Sequence, residues 1–209
     1  MAGRLRAWDL DAVTAFLAAA VLWLVYRAYY ATIRKRVMNG ACSPRVLPPG
    51  QNVIYVFWHS KSFVMLPFGR HRRVANPTLL DWKNRVWDWI CRFYGYKTVS
   101  IRTPAATAAR LKKKLEEGCH VAVPLDGPKG PAGVIKPGAL YLASKTGRPI
   151  VAVNVRVNRS IRIRRRWDRF EIPLPFSLAL GRFSDPIFVR PGEDWEVPRR
   201  KIQEALVDL

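Results

Sequence analysis

Two places in the chain hold residue types that can do chemistry. The first is His59, which follows the apolar run VIYVFW at 53–58. A continuous run of strand-forming residues reads as a strand buried on both faces, as in a parallel sheet. His59 then stands at its C-terminal edge, where open α/β sheets place their ligands. A histidine there can take a proton from a hydroxyl if a carboxylate holds its ring. The second is the loop PLDGPKGPAG at 124–133, which sets Asp126 and Lys129 among prolines and glycines. Two readings of it stand. It is a stiff turn with a surface lysine, or it is a cradle for an anion. In the second reading Gly127 and Gly130 leave backbone N–H groups open, and Lys129 adds a charge-assisted contact.

Other chemistries fail on pattern. Walker A needs GxxxxGK[ST] and the serine-hydrolase elbow needs GxSxG; neither occurs. The glycine period of three in the loop is too short for collagen. The three cysteines, Cys42, Cys91 and Cys119, form no CxxC pair, and an odd number reads as thiols in a reducing compartment. With only His59, His71 and His120, and no HExxH, no metal site is expected. His71 lies in RHRR and reads as surface; His120 opens a strand and reads as structural.

The elements that must position these residues follow from periodicity. After a linker at 43–50 and the strand at 53–58, a helix is expected over 77–94 and a strand over 96–101. Thr103 and Pro104 supply an N-cap and a first helical residue, and that helix runs to Gly118. A strand at 119–125 leads into the loop, a helix starts at Pro137, and a strand covers 148–157. These βαβ passages imply an α/β domain with a mostly parallel central sheet flanked by helices. In SIRIRRRW at 160–167 arginines alternate with Ile161 and Ile163, the spacing of an edge strand; it solubilises that edge or meets lipid phosphates. FEIPLPF at 170–176 reads as a rigid surface loop suited to touching a membrane, and Ile202, Leu206 and Leu209 give a docking helix.

Charge points outward to polyanions. Lys plus Arg number 36 against 15 Asp plus Glu, a formal net charge of +21 in 209 residues. Nucleic acid or an anionic membrane answers that charge. Few aromatics interleave with the arginines, so base-stacking RNA recognition is poorly supported. At the N-terminus, residues 12–26 are apolar except Thr14, short of the ~20 that span a bilayer. If Arg27 snorkels, 12–33 is long enough; otherwise the segment lies in the interface or packs as a core helix. Arg34, Lys35 and Arg36 would keep the downstream domain on the cytoplasmic face of the membrane. The chain divides into a membrane-associated helix with its basic flank, 1–42, and an α/β domain, 43–209.

FWHSKSF at 57–63, Ile101-Arg102-Thr103, LDGPKGP at 125–131 with its continuation PGALYLASKTGRPIVAV, and WDRFEIPLPF at 167–176 come in the order of a known family. The chain resembles the lysophospholipid acyltransferase-like superfamily, in a bacterial branch of unknown function with Trp-His and Asp-Gly-Pro-x-Gly-Pro signatures, over roughly 50–190. The resemblance implies a histidine base, His59, acting on a hydroxyl of a lysophospholipid or related phosphorylated lipid. That oxygen attacks the thioester of acyl-CoA or acyl carrier protein, with no cofactor and no metal. The phosphate-holding block of the family falls on Asp126, Gly127 and Lys129 with Gly130 beside them, and its arginine on Arg102. Relatives carry His-x4-Asp, but that aspartate position is Val64, which accepts no hydrogen bond. Two carboxylates can take its place, Asp81 and Asp126; Asp81 is the expected orienter of His59 and Asp126 the organiser of the loop, while Asp168 is expected to pair structurally with nearby arginines. Two further readings remain: a non-catalytic basic binder of anionic lipid or RNA, and a (thio)esterase on the same scaffold.

Overall fold

The run at 53–58 forms the central strand of a seven-stranded sheet. The computed structural model describes residues 10–44, 46–48, 50–69, 73–79 and 82–207. In chain order the elements are α1 (Leu10–Ala31), β1 (Arg34–Met38), β2 (Ile54–Phe57), α2 (Ser62–Met65), β3 (Val74–Thr78), α3 (Trp82–Phe93), β4 (Lys97–Ser100) and α4 (Pro104–Glu116). Next come β5 (His120–Pro124), α5 (Gly138–Thr146), β6 (Ile150–Val157), β7 (Ser160–Arg162), β8 (Glu171–Pro173), β9 (Leu178–Phe183) and α6 (Glu196–Val207). The sheet order is β1-β9-β6-β2-β5-β3-β4. Every neighbouring pair is parallel except β6 with β9. The expected α/β architecture, a mostly parallel sheet flanked by helices with an apolar N-terminal helix, is what the chain adopts.

All four residues of β2 are buried because helices cover both faces of the sheet. Tyr55 and Phe57 face a cluster with Tyr26 and Tyr30 of α1, Val64 of α2 and Ile90 of α3. Ile54 and Val56 face Leu111 and Leu115 of α4, Leu140 of α5 and Ile202 of α6. Thr103 caps α4 as expected, its hydroxyl accepting from Ala106 N at 3.2 Å with Pro104 in the first turn. Leu209 and His71 lie outside the described residues.

The helix expected over 77–94 is instead a strand followed by a shorter helix. Val74 and Ala75 pair with β5, and β3 continues along β4 to Thr78. Pro77 is tolerated inside this strand for a simple reason. Thr78 turns its carbonyl to β4, accepting from Ile101 N, so Pro77 faces β5, where pairing ended at Ala75. The basic segment at 34–36 is likewise not a free flank: it begins β1, an exposed edge strand parallel to β9. The division at 42/43 thus passes between segments of one sheet, and α1 packs along α3 through Phe16 with Trp89 and Phe93.

His120 is buried at the start of β5, and its Nδ1 accepts from Val53 N at 3.3 Å. Burial pushes its pKa down to about 4 from 6.5. Above 6.5 neither the folded nor the unfolded chain protonates it. Between 6.5 and about 4 only the unfolded chain does, so stability falls as pH falls through that window, by at most about 3 kcal/mol. Urea unfolding at neutral pH and near the lower end of the window checks this. The stability difference between the parent and His120→Gln is expected to shrink by about that amount.

Candidate active site

β2 and β5 run parallel, so their C-terminal ends deliver two loops to one edge of the sheet. Leu125 N donates to Phe57 O at 2.9 Å, which extends the pairing past the strands. One step further, His59 N donates to Asp126 Oδ1 at 2.9 Å. Asp126 is buried, and its own N–H and that of Gly133 stabilise its charge. It therefore ties the start of the loop to the His59 turn. Burial raises its pKa, with the backbone N–H bonds opposing that rise. Asp126 meets the backbone of His59.

The ring of His59 is met from elsewhere. Its Nδ1 lies 2.8 Å from Asp168 Oδ2, on the loop between β7 and β8. Arg166 holds the same carboxylate with two bonds, Nε to Oδ1 and a terminal nitrogen to Oδ2, both 2.9 Å. Burial alone would raise the Asp168 carboxyl; the hydrogen bonds from Arg166 and His59 outweigh it and hold its pKa below the usual value. An ionised carboxylate only accepts, so a neutral His59 carries its proton on Nδ1 and keeps a lone pair on Nε2. That is the arrangement of a general base with an oriented ring.

The β7–β8 loop is tightly wound. Ile163 N donates to Phe170 O, Arg166 N to Ile163 O, and Arg169 N to Arg166 O. Between Asp168 and Arg166 stands Trp167, whose ring centroid is 5.3 Å from that of His59. A Cβ on Gly130 would stand 2.5 Å from the Trp167 ring, at a backbone φ of +67°. Gly130 is thus required twice, for the turn and for close approach of the indole. Gly127 takes a similar turn, at a φ of +65°, with the movable end of the Lys136 side chain 3.2 Å from where its Cβ would be.

A cavity of about 330 Å³ opens beside the dyad, with His59, Ser62 and Arg166 on its wall. The rest of its lining is mainly apolar, including Tyr55, Phe57, Met65, Phe68, Trp87 and Phe183. A mainly apolar cleft next to an oriented histidine suits a hydrocarbon chain whose end must meet a base.

The residues expected at the site are dispersed around this geometry. His59 and Asp126 come together. Lys129 is exposed on the loop; Arg102 is exposed between β4 and α4, its backbone N–H bonded to Thr107. Asp81 lies outside the described residues. The carboxylate at the ring is Asp168, to which the sequence assigned only arginine pairing. It has that pairing, with Arg166, and His59 as well. Asp168 lies 109 residues from His59, so no spacing rule links them. The available signal was compositional: Asp168 is the single acid between Arg156 and Arg169.

The chain is thus an α/β protein with a mostly parallel sheet, in which His59 follows the end of β2 and the loop of the β7–β8 hairpin brings a carboxylate to it. The fold is that of the 1-acyl-sn-glycerophosphate (LPA) acyltransferase PlsC from Thermotoga maritima: TM-score 0.55 at 19% identity, over 98% of this chain and 79% of that one. An uncharacterized protein of Rickettsia prowazekii (strain Madrid E) is 23% identical over 159 residues, 74% of this chain and 72% of the relative. No family model matches the chain.

Proposed function

We propose that the protein is an acyltransferase that moves a fatty acyl group from a thioester, acyl-CoA or acyl carrier protein, to a hydroxyl of a lysophospholipid or related phosphorylated lipid. The observation that carries this reading is the His59–Asp168 pair at the edge of an apolar cavity. His59 Nε2 takes the proton of the acceptor hydroxyl as its oxygen attacks the thioester carbonyl. The tetrahedral intermediate collapses, the carbon–sulfur bond breaks, and the leaving thiolate takes the proton back from the imidazolium. Asp168 orients the ring, the role that the sequence reading gave to Asp81. Asp126 organises the loop, and Lys129, the Gly127 and Gly130 segment and Arg102 supply positive charge and N–H groups for the acceptor phosphate. The shared fold with PlsC adds to the reading.

The proposal includes a membrane seat. One face of α1, with Ala15, Ala19, Tyr26 and Tyr30, is buried against the protein. The other exposes Leu17, Val21, Leu24 and Val25, each about 60% accessible and spaced along one helical stripe. The window Val13–Ala31 has a mean hydropathy of 1.4. A helix packed on one side and apolar on the other suits the plane of a lipid interface, with Arg27 and Arg34 beside anionic headgroups. Tyr29 contacts Phe63, Phe63 contacts Phe170, and Phe170 lines the cavity, so an aromatic path joins that face to the dyad.

The test is turnover of long-chain acyl-CoA and acyl carrier protein with lysophosphatidic acid in anionic vesicles. A diacyl product is expected. Free fatty acid alone would make the protein a hydrolase, and salt-sensitive vesicle binding without turnover would make it a binding protein.

A further inference from the structure

His59 and Asp168 lie on two segments far apart in sequence, and a second contact joins the same two segments. Lys61 ends the short 3₁₀ turn that begins at His59. Its ammonium is bonded to Glu171 of β8, three residues past Asp168. The Lys61 side chain is 15% exposed and that of Glu171 only 3%, so this is a buried ion pair rather than a surface one. Ser160 Oγ of β7 donates to the second Glu171 oxygen at 2.6 Å, which satisfies the carboxylate from both sides. The register pairs Arg162 with Glu171 and Ser160 with Pro173, so Glu171 is fixed in the hairpin whose loop presents Asp168.

We infer that Lys61 and Glu171 are the positioning pair of the catalytic dyad, a clamp that fixes the distance between the His59 turn and the Asp168 loop. This rests on the proposed function above. The hairpin β7–β8 is a separate two-stranded sheet, so the ladder of the main sheet does not hold it in place. Its loop must nevertheless keep a carboxylate within hydrogen-bond distance of a ring on another segment. A misplacement of about 1 Å at such a site costs on the order of 10²-fold in rate. A largely buried pair one turn away supplies a fixed point that the sheet does not, and the burial of the Glu171 carboxylate strengthens its hold on the ammonium. Neither residue touches the cavity, so substrate affinity should be left alone.

The test compares Lys61→Met, Lys61→Arg and the double variant Lys61→Met/Glu171→Met with the parent, each checked for fold by circular dichroism. The parent must first transfer acyl groups; if it does not, the functional reading fails and the clamp is judged on the spectroscopic arm alone. That arm is the ¹⁵N spectrum of His59, which reports whether the proton sits on Nδ1. Lys61→Met is expected to lower kcat about tenfold or more at unchanged KM and to blur the Nδ1–H signature. Lys61→Arg, which keeps the charge, is expected to recover most of both. Should Lys61→Met not fold, the double variant leaves no unpaired buried charge and carries the same expectation. A folded variant lacking the pair, with parental kcat and a parental His59 spectrum, overturns the inference.

Discussion

His59→Ala is expected to lower acyl transfer by about 10²- to 10⁴-fold, with the fold and KM for the donor little changed. The turn that carries the ring is held by backbone groups. His59 N donates to Asp126, and the His59 carbonyl accepts from Ser62 Oγ at 2.8 Å. Removing the imidazole leaves both bonds in place. The side chain is about a quarter exposed, so the truncation opens no sealed void in the core. What is lost is the base at the cavity wall. Rates of product formation under saturating donor and acceptor, alongside thermal melts, measure the two effects separately. A folded variant that transfers at the parental rate would exclude His59 as the base.

The second large effect is expected from Asp168→Asn, again about 10²- to 10⁴-fold in kcat, and for a different reason. The substitution is isosteric, so packing is kept. Arg166 presents two N–H donors to residue 168 and needs an oxygen there. With the oxygen of an asparagine kept at Arg166 Nε, its NH₂ takes the place of Oδ2, which meets both His59 Nδ1 and the terminal Arg166 nitrogen. Nδ1 would then have to accept, the ring proton would move to Nε2, and no lone pair would face the hydroxyl. The damage is a wrong tautomer together with one lost Arg166 bond, visible as a changed ¹⁵N pattern of His59 in a folded protein that melts somewhat lower. A variant that keeps the Nδ1–H signature and full kcat would return Asp168 to the role of an arginine partner.

Much of the architecture was legible in the chain itself. Val53 to Trp58 is a run of apolar residues without alternation, and only a strand covered on both faces can bury it. Thr103 followed by Pro104 marks a helix start because the hydroxyl accepts an end N–H and the proline has none to satisfy. Where local patterns misled, long-range pairing decided. Leu79, Val86, Trp87 and Ile90 have helical spacing, yet Val74–Thr78 before them is a strand because β5 and β4 stand on either side with free backbone groups.

The candidate site divides along the same line. His59 at a strand end and the Asp126 loop were readable because each is a local matter: an apolar run that stops, then glycines and prolines that set a turn. The sequence thereby determined the sheet, the edge where chemistry can occur and the imidazole that stands there. Only the tertiary structure decided which carboxylate serves it. Asp168 reaches His59 through a hairpin of its own, folded back over 109 residues and held by Lys61 with Glu171. A hydrogen bond depends on two atoms coming within about 3 Å in space, and spacing along the chain carries no information about that once a succession of strands and helices intervenes.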